Sequence, residues 1–156
     1  MVFRKKKEKS EYDEVTIDIA RVMRVTKGGR QLRFRALVVV GDKKGKVGIG
    51  LGKAGEVSVA ISKASYDAKR NLVNVSLKEN TIPHEVNQKF KSAVVKLLPA
   101  STGTGVIAGS AVRVVCELAG VKDILAKSFG SNSKICLATA TVKALDSLRN
   151  FVPHTK

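Results

Sequence analysis

The chain has 156 residues, 44% of them hydrophobic: enough for one domain or two small ones with a packed core, and too many for wholesale disorder. Lys and Arg number 29 against 13 Asp and Glu, a net charge of +16 that solubility alone does not require and that points to a polyanionic partner. No apolar run reaches the roughly 20 residues of a membrane span, and the start, MVFRKKKEKSEYDE, has no apolar segment behind its charges, so neither a membrane partner nor a secretory signal is expected.

Residues 1–14 form a basic N-terminal arm, read either as a solvated tail or as an arm lying on nucleic acid. Val15, Ile17 and Ile19 then alternate with polar residues, as in a half-buried strand. TKGGR at 26–30 supplies a glycine pair and two cations, a loop. In RQLRFRALVVVG, Leu32, Phe34, Ala36, Val38 and Val40 fall on one face and Arg33 and Arg35 on the other. DKKG at 42–45 is a turn, and KVGIGLGK is a third strand. There Val47, Ile49 and Leu51 share one face, while Gly48, Gly50 and Gly52 share the opposite one. Short turns make these strands antiparallel. Across this stretch Arg21, Arg24, Lys27, Arg30, Arg33, Arg35, Lys43, Lys44, Lys46 and Lys53 meet a single acid, Asp42, so more than half of the net +16 is concentrated here.

A helix follows, with Val57, Ala60, Ile61, Ala64, Ala68 and Leu72 on one stripe. Lys63, Lys69 and Arg70 lie off it, as an ordinary wet face or as RNA contacts, and Asp67 between Lys63 and Arg70 suits an ion pair. Residues 15–73 thus read as a β-β-β-α unit and residues 74–156 as a second α+β unit. In the second unit FKSAVVKLLPA, 90–100, is a strand, and STGTGVIAGS, 101–110, is a second glycine-rich loop. AVRVVCELAG is a helix that Gly120 should cap, and KDILAKSFGS is a short strand and turn. Ser131 or Asn132 is placed to cap a last helix with Ala138, Val142, Leu145 and Leu148 or Arg149 on its stripe.

Catalytic chemistry finds little support. The phosphate-binding pattern G-x-x-x-x-G-K-[ST] fails, with Val47 at its first glycine and Ala54 at its hydroxyl. Gly50, Gly52 and Gly55 match G-x-G-x-x-G, but on the second arm of a hairpin edged by lysines rather than in a parallel unit, so no nucleotide cofactor is expected. His84 and His154 are unaccompanied, and Cys116 and Cys136 sit in apolar patterns as reduced core cysteines of a cytosolic protein, without metal-ligand spacing. Where an RNA-recognition sheet would present aromatics, the third strand offers Ile49 and Leu51. Backbone reading is what remains, with Arg and Lys on phosphates, as in double-stranded-RNA modules.

RVTKGGR, ALVVVGDKKGKVGIGLGKAGEV, PASTGTGVIAGSAVR and ELAGVKDILAKSFGS together resemble the signatures of the small-subunit ribosomal protein S5 family, bacterial or organellar type, in one register from about Val15 to Phe151. The resemblance implies an α+β fold: an N-terminal β-β-β-α domain related to the double-stranded-RNA-binding fold without its first helix, and a C-terminal split β-α-β domain. It implies a non-catalytic constituent of the small subunit, in the cytoplasm or an organelle, bound to small-subunit ribosomal RNA. Ribosomal proteins S4 and S8 are its implied neighbours, the messenger entry path is near, and assembly and accuracy are its implied roles. Carried over by motif, Lys27, Gly28, Gly29 and Arg30 reach into RNA near the decoding region. Arg21 and Val22-Met23-Arg24 fall by the spectinomycin-associated loop, and Gly103, Gly105 and Arg113 fall on the side facing S4. A free-standing double-stranded-RNA-binding protein without catalysis is the alternative.

Overall fold

The computed structural model describes residues 11–148; the arm before residue 11, Arg149, Phe151 and His154 lie outside them. Two four-stranded sheets and three helices make up the α+β architecture. The first sheet has the order β1-β2-β3-β4, from β1 (Asp13–Thr26), β2 (Gly29–Gly41), β3 (Lys46–Ala54) and β4 (Leu72–Asn74), all antiparallel. Helix α1 (Val57–Arg70) links β3 to β4, and no helix precedes β1 among the described residues.

Strand β2 is buried on both faces. Ala36 through Val40 are each 2% exposed or less, because Ala36, Val38 and Val40 pack under α1 while Leu37 and Val39 join a larger core on the other side. The run ALVVV therefore carries more than a one-faced alternation, as strands covered on both sides do. Strand β1 departs from simple alternation as well. A bulge between Thr16 and Asp18 sends Ile17 to the larger core and leaves Ile19, opposite Ala36, on the α1 side at 46% exposure. Val15, Ile17 and Ile19 consequently do not share one buried face.

The glycine face of β3 meets α1. A Cβ at Gly48, Gly50 or Gly52 would overlap the backbone carbonyl oxygen of Ala68, Ala64 or Ala60 respectively. Helix and sheet thus approach at alanine on one side and glycine on the other, and the contact has no room for one more methyl. Glu14 clamps the arrangement from β1, accepting from Ser65 Oγ at 2.6 Å and pairing with Lys69 Nζ at 2.6 Å.

The second sheet has the order β5-β6-β8-β7, from β5 (Val86–Phe90), β6 (Ala93–Pro99), β7 (Val106–Ile107) and β8 (Ile124–Gly130). The split in this domain lies between β6 and β7, where β8 inserts after α2 (Ser110–Ala119), parallel to β7 and antiparallel to β6. The strand expected at 90–100 is β6 and starts only at Ala93, because Phe90 ends β5 and Lys91, at φ 53°, turns the chain between them. Helix α3 (Lys134–Asp146) starts from Ser133, not from Ser131 or Asn132; Ser131 Oγ instead accepts the Ser133 N–H at 3.2 Å.

Both α2 and α3 contact both sheets, and the larger core they build joins Leu37, Val39 and Val47 to Val95, Leu97, Val115, Ile124 and Leu145. Gly120 caps α2 in the left-handed region at φ 92°. Here the β2–β3 turn docks: Lys43 N–H donates to the Leu118 carbonyl and Gly45 N–H to the Ala119 carbonyl, both at 3.0 Å.

Candidate nucleic-acid interface

Beyond the reach of α1 and α2 the β1–β2 hairpin continues with its residues in solvent. Its ladder runs to Thr26 opposite Gly29, leaving Lys27 and Gly28 as a two-residue loop, and Gly29 takes φ 129°. Such a tight turn is what the glycine pair supplies. Lys27 and Arg30 are exposed at this tip.

Register assigns the other hairpin cations to faces. Arg21 pairs with Phe34 and Arg30 with Val25, on the α1 side, where Ile19, Met23 and Leu32 are also exposed. Arg24, Gln31, Arg33, Arg35 and Lys53 fall on the opposite side. There Arg35 and Lys53 are direct cross-strand partners, like charges placed opposite each other. The one acid among them, Asp18, lies 3.9 Å from the Arg35 guanidinium and accepts from Lys134 Nζ at 2.8 Å. Val22, Arg24, Gln31, Arg33 and Lys53 line a shallow groove of about 250 Å³ that Met23 edges, with no acid in its wall. Arg24, Arg33 and Lys53, held together with no salt bridge to any of them among the described residues, make a surface suited to a polyanion.

Lys43, Lys44 and Lys46 are not part of this surface. They lie in and after the β2–β3 turn, at the far end of β2 from the hairpin tip. Asp42 Oδ1 accepts the N–H groups of Lys44 (2.7 Å) and Lys46 (2.9 Å), shaping the turn. Lys43 Nζ pairs with Asp13 at 2.7 Å, and that hydrogen bond holds its pKa above the ordinary lysine value. Lys44 and Lys46 are exposed.

The second glycine loop is built differently from β3. Gly103 and Gly105 have φ 91° and 77°, and nothing lies within 4 Å of a Cβ added at either. Their N–H groups both donate to Asp123 Oδ1, at 3.1 and 2.9 Å, and Asp123 is only 5% exposed. Among the described residues nothing packs against Gly105, and a positive φ is what the position demands. Arg113 stands exposed in the first turn of α2. No local pattern in the sequence marks Asp123, because its partners lie 18 and 20 residues away.

Groups with chemical potential are occupied otherwise. Asp67 Oδ2 accepts the Leu51 N–H at 3.1 Å and Oδ1 accepts from Asn71, so it joins helix to strand instead of pairing with Lys63 or Arg70. Gly50 and Gly52 are covered by α1, which leaves no amide edge for a pyrophosphate, and β3 sits in an antiparallel sheet. Burial pushes the Cys116 thiol up to about 12, an unreactive state. His84 is exposed. Among the described residues no group of three His, Cys, Asp or Glu could hold a metal, and no helix is long and apolar enough to cross a membrane.

The family model for the N-terminal domain of ribosomal protein S5 matches residues 12–76, and the model for its C-terminal domain matches residues 88–154. A small ribosomal subunit protein uS5 of Campylobacter jejuni (strain 81-176) is 53% identical over 141 residues, 90% of this chain and 96% of the relative. A small ribosomal subunit protein uS5c of Emiliania huxleyi is 50% identical over 143 residues, 91% of this chain and 90% of the relative.

Proposed function

From the premise that the chain belongs to the ribosomal protein S5 family, we propose that it is a structural constituent of the small ribosomal subunit, holding ribosomal RNA on the outer β1–β2 hairpin. It is not an enzyme. The observation that carries the RNA reading is the cluster of Arg24, Arg33 and Lys53 on an exposed face, with no salt bridge to any of the three among the described residues, while the nearby acid Asp18 is taken up by Arg35 and Lys134. The spacing of cations along a bare two-stranded ribbon suits phosphates of a folded RNA, and the groove beside Arg33 is cationic and open enough to admit them. Lys27 and Arg30 at the tip extend this contact toward the decoding region. Lys44 and Lys46 serve a separate stretch of RNA at the other end of the sheet. The domains of this reading are residues 15–73 and 74–156 behind a basic arm at 1–14, with the difference that Asp13 and Glu14 already belong to β1 and the first sheet runs to Asn74.

Proteins S4 and S8 are the proposed neighbours, with Gly103, Gly105 and Arg113 on the S4 side. Arg113 supports this because its guanidinium is exposed and offers a planar fork to a carboxylate across an interface. Sedimentation tests the whole: the protein should travel with small subunits through a high-salt wash, and its release as free protein would end the scaffold reading. For the S4 side, Gly105→Arg and Arg113→Leu should change misreading of a reporter while incorporation stays normal. Wild-type error rates in both would confine these residues to shaping their own domain.

A further inference from the structure

In the first sheet the strand aromatic, Phe34, is packed against the core under α1, whereas α1 itself presents an aromatic to solvent. Ala60, Ala64, Ser65 and Ala68 bury one side of this 14-residue helix, and Lys63, Tyr66 and Arg70 follow at helical spacing on the other. Tyr66 is 67% exposed, with the Arg70 guanidinium carbon 6.0 Å from its ring centroid. The nearby acids are turned away: Asp67 accepts from Leu51 and Asn71, and Glu14 from Ser65 and Lys69. Among the described residues neither Lys63 nor Arg70 forms a salt bridge. A ring in water at the solvent pole of a helix adds little to its own fold, and alanine would serve the helix better. With two uncompensated cations beside it, the ring has the makings of a base-stacking site flanked by phosphate contacts.

Building on the ribosomal-RNA reading above, we propose that the outer face of α1 is a second RNA contact, on the side of the first sheet opposite Arg24, Arg33 and Lys53. Tyr66 stacks on an unpaired base, and Lys63 and Arg70 take the flanking phosphates. The first sheet would then be clamped between two RNA segments, one reading its hairpin and one lying on its helix. The charge chooses RNA over a protein partner, since a cationic pole on a chain of net +16 favours a polyanion.

The test is binding to deproteinised small-subunit ribosomal RNA across a salt series, with far-ultraviolet circular dichroism confirming that each exposed-site variant is folded. Tyr66→Ala should weaken binding about tenfold with its salt slope unchanged, while Tyr66→Phe stays within about twofold of wild type. Lys63→Ala with Arg70→Ala should lower the log–log slope by about 0.7 for each single-strand phosphate no longer neutralised. In a Tyr12→Phe background, which leaves Tyr66 as the single tyrosine of the chain's two, RNA should quench tyrosine fluorescence. Wild-type affinity and no quenching, while Arg33→Ala with Lys53→Ala still loses binding, would remove the α1 contact and leave the hairpin reading standing. Normal RNA affinity of Tyr66→Ala coupled to poor incorporation into subunits would overturn it in favour of a protein partner. Failure of the wild-type protein to bind this RNA would sink both readings.

Discussion

In KVGIGLGK the glycines face backbone: a methyl at Gly48, Gly50 or Gly52 runs into a carbonyl of α1, and none of the three has a positive φ. In STGTGVIAG the geometry is reversed, with open space around Gly103 and Gly105 and a positive φ at both. Glycine in the first stretch removes volume, and glycine in the second supplies a backbone conformation. One composition thus serves two physical ends, and a phosphate-binding loop is neither of them. The first stretch fixes how close α1 lies to the sheet, which sets the outer face of the N-terminal domain. The second presents a loop that one buried carboxylate holds from beneath.

That contrast predicts a ranked set of losses. Gly50→Val is expected to be the largest, about 3 kcal/mol or more, because the added atoms meet helix backbone that no rotamer change can move. Chemical denaturation would show it as a lowered midpoint, and a cost below that of a loop glycine would break the comparison. Asp123→Ala comes next, at about 2 kcal/mol, since it leaves the Gly103 and Gly105 N–H groups without their acceptor. Amide exchange at those two positions should accelerate in this variant while exchange in β3 stays slow. Gly105→Ala should cost only about 1 kcal/mol, the strain of a left-handed alanine in free space. Equal losses for alanine at Gly50 and at Gly105 would show that the two stretches are not physically distinct.

The smallest effect is electrostatic. Lys69 first, and Ser65 after it, hold the Glu14 carboxyl below its ordinary 4.5. A depressed folded-state pKa gives stability that is present above the unfolded value and is lost as pH falls through the folded one. The contribution should therefore shrink as pH falls below 4.5 and be lost once the folded-state carboxyl is protonated, and it should stay under about 1 kcal/mol because both partners are partly in water. Glu14→Gln should flatten that acid limb without altering the loop at Gly105.

The sequence made the hairpin and α1 legible because strands β1 to β3 and the alanine stripe have strong local periods, and it put the three glycines of β3 on one face. It did not say that α1 would cover all three glycines. The two-sided burial of β2 was written in the unbroken run Leu37-Val38-Val39-Val40, which alternation alone misreads. The bulge at Ile17 left no mark, since a single unpaired residue changes register without changing composition. Strands β4 and β7, of three and two residues, are too short to show a period and exist by pairing with β3 and β8. At the candidate site, charge density pointed to the segment Arg21 to Lys53, but only register separates Arg24, Arg33, Arg35 and Lys53 from Arg21 and Arg30 on the other face. Lys43 shows the limit of counting cations, since Asp13 occupies it.

The most direct test of RNA on the hairpin is the salt dependence of binding to small-subunit ribosomal RNA by the wild type and by the Arg24→Ala, Arg33→Ala, Lys53→Ala triple variant. If these side chains lie on duplex phosphates, the log–log slope should fall by about 0.9 for each phosphate no longer neutralised, with affinity dropping most at low salt. A folded triple variant with the wild-type slope would contradict the placement of RNA on the hairpin face.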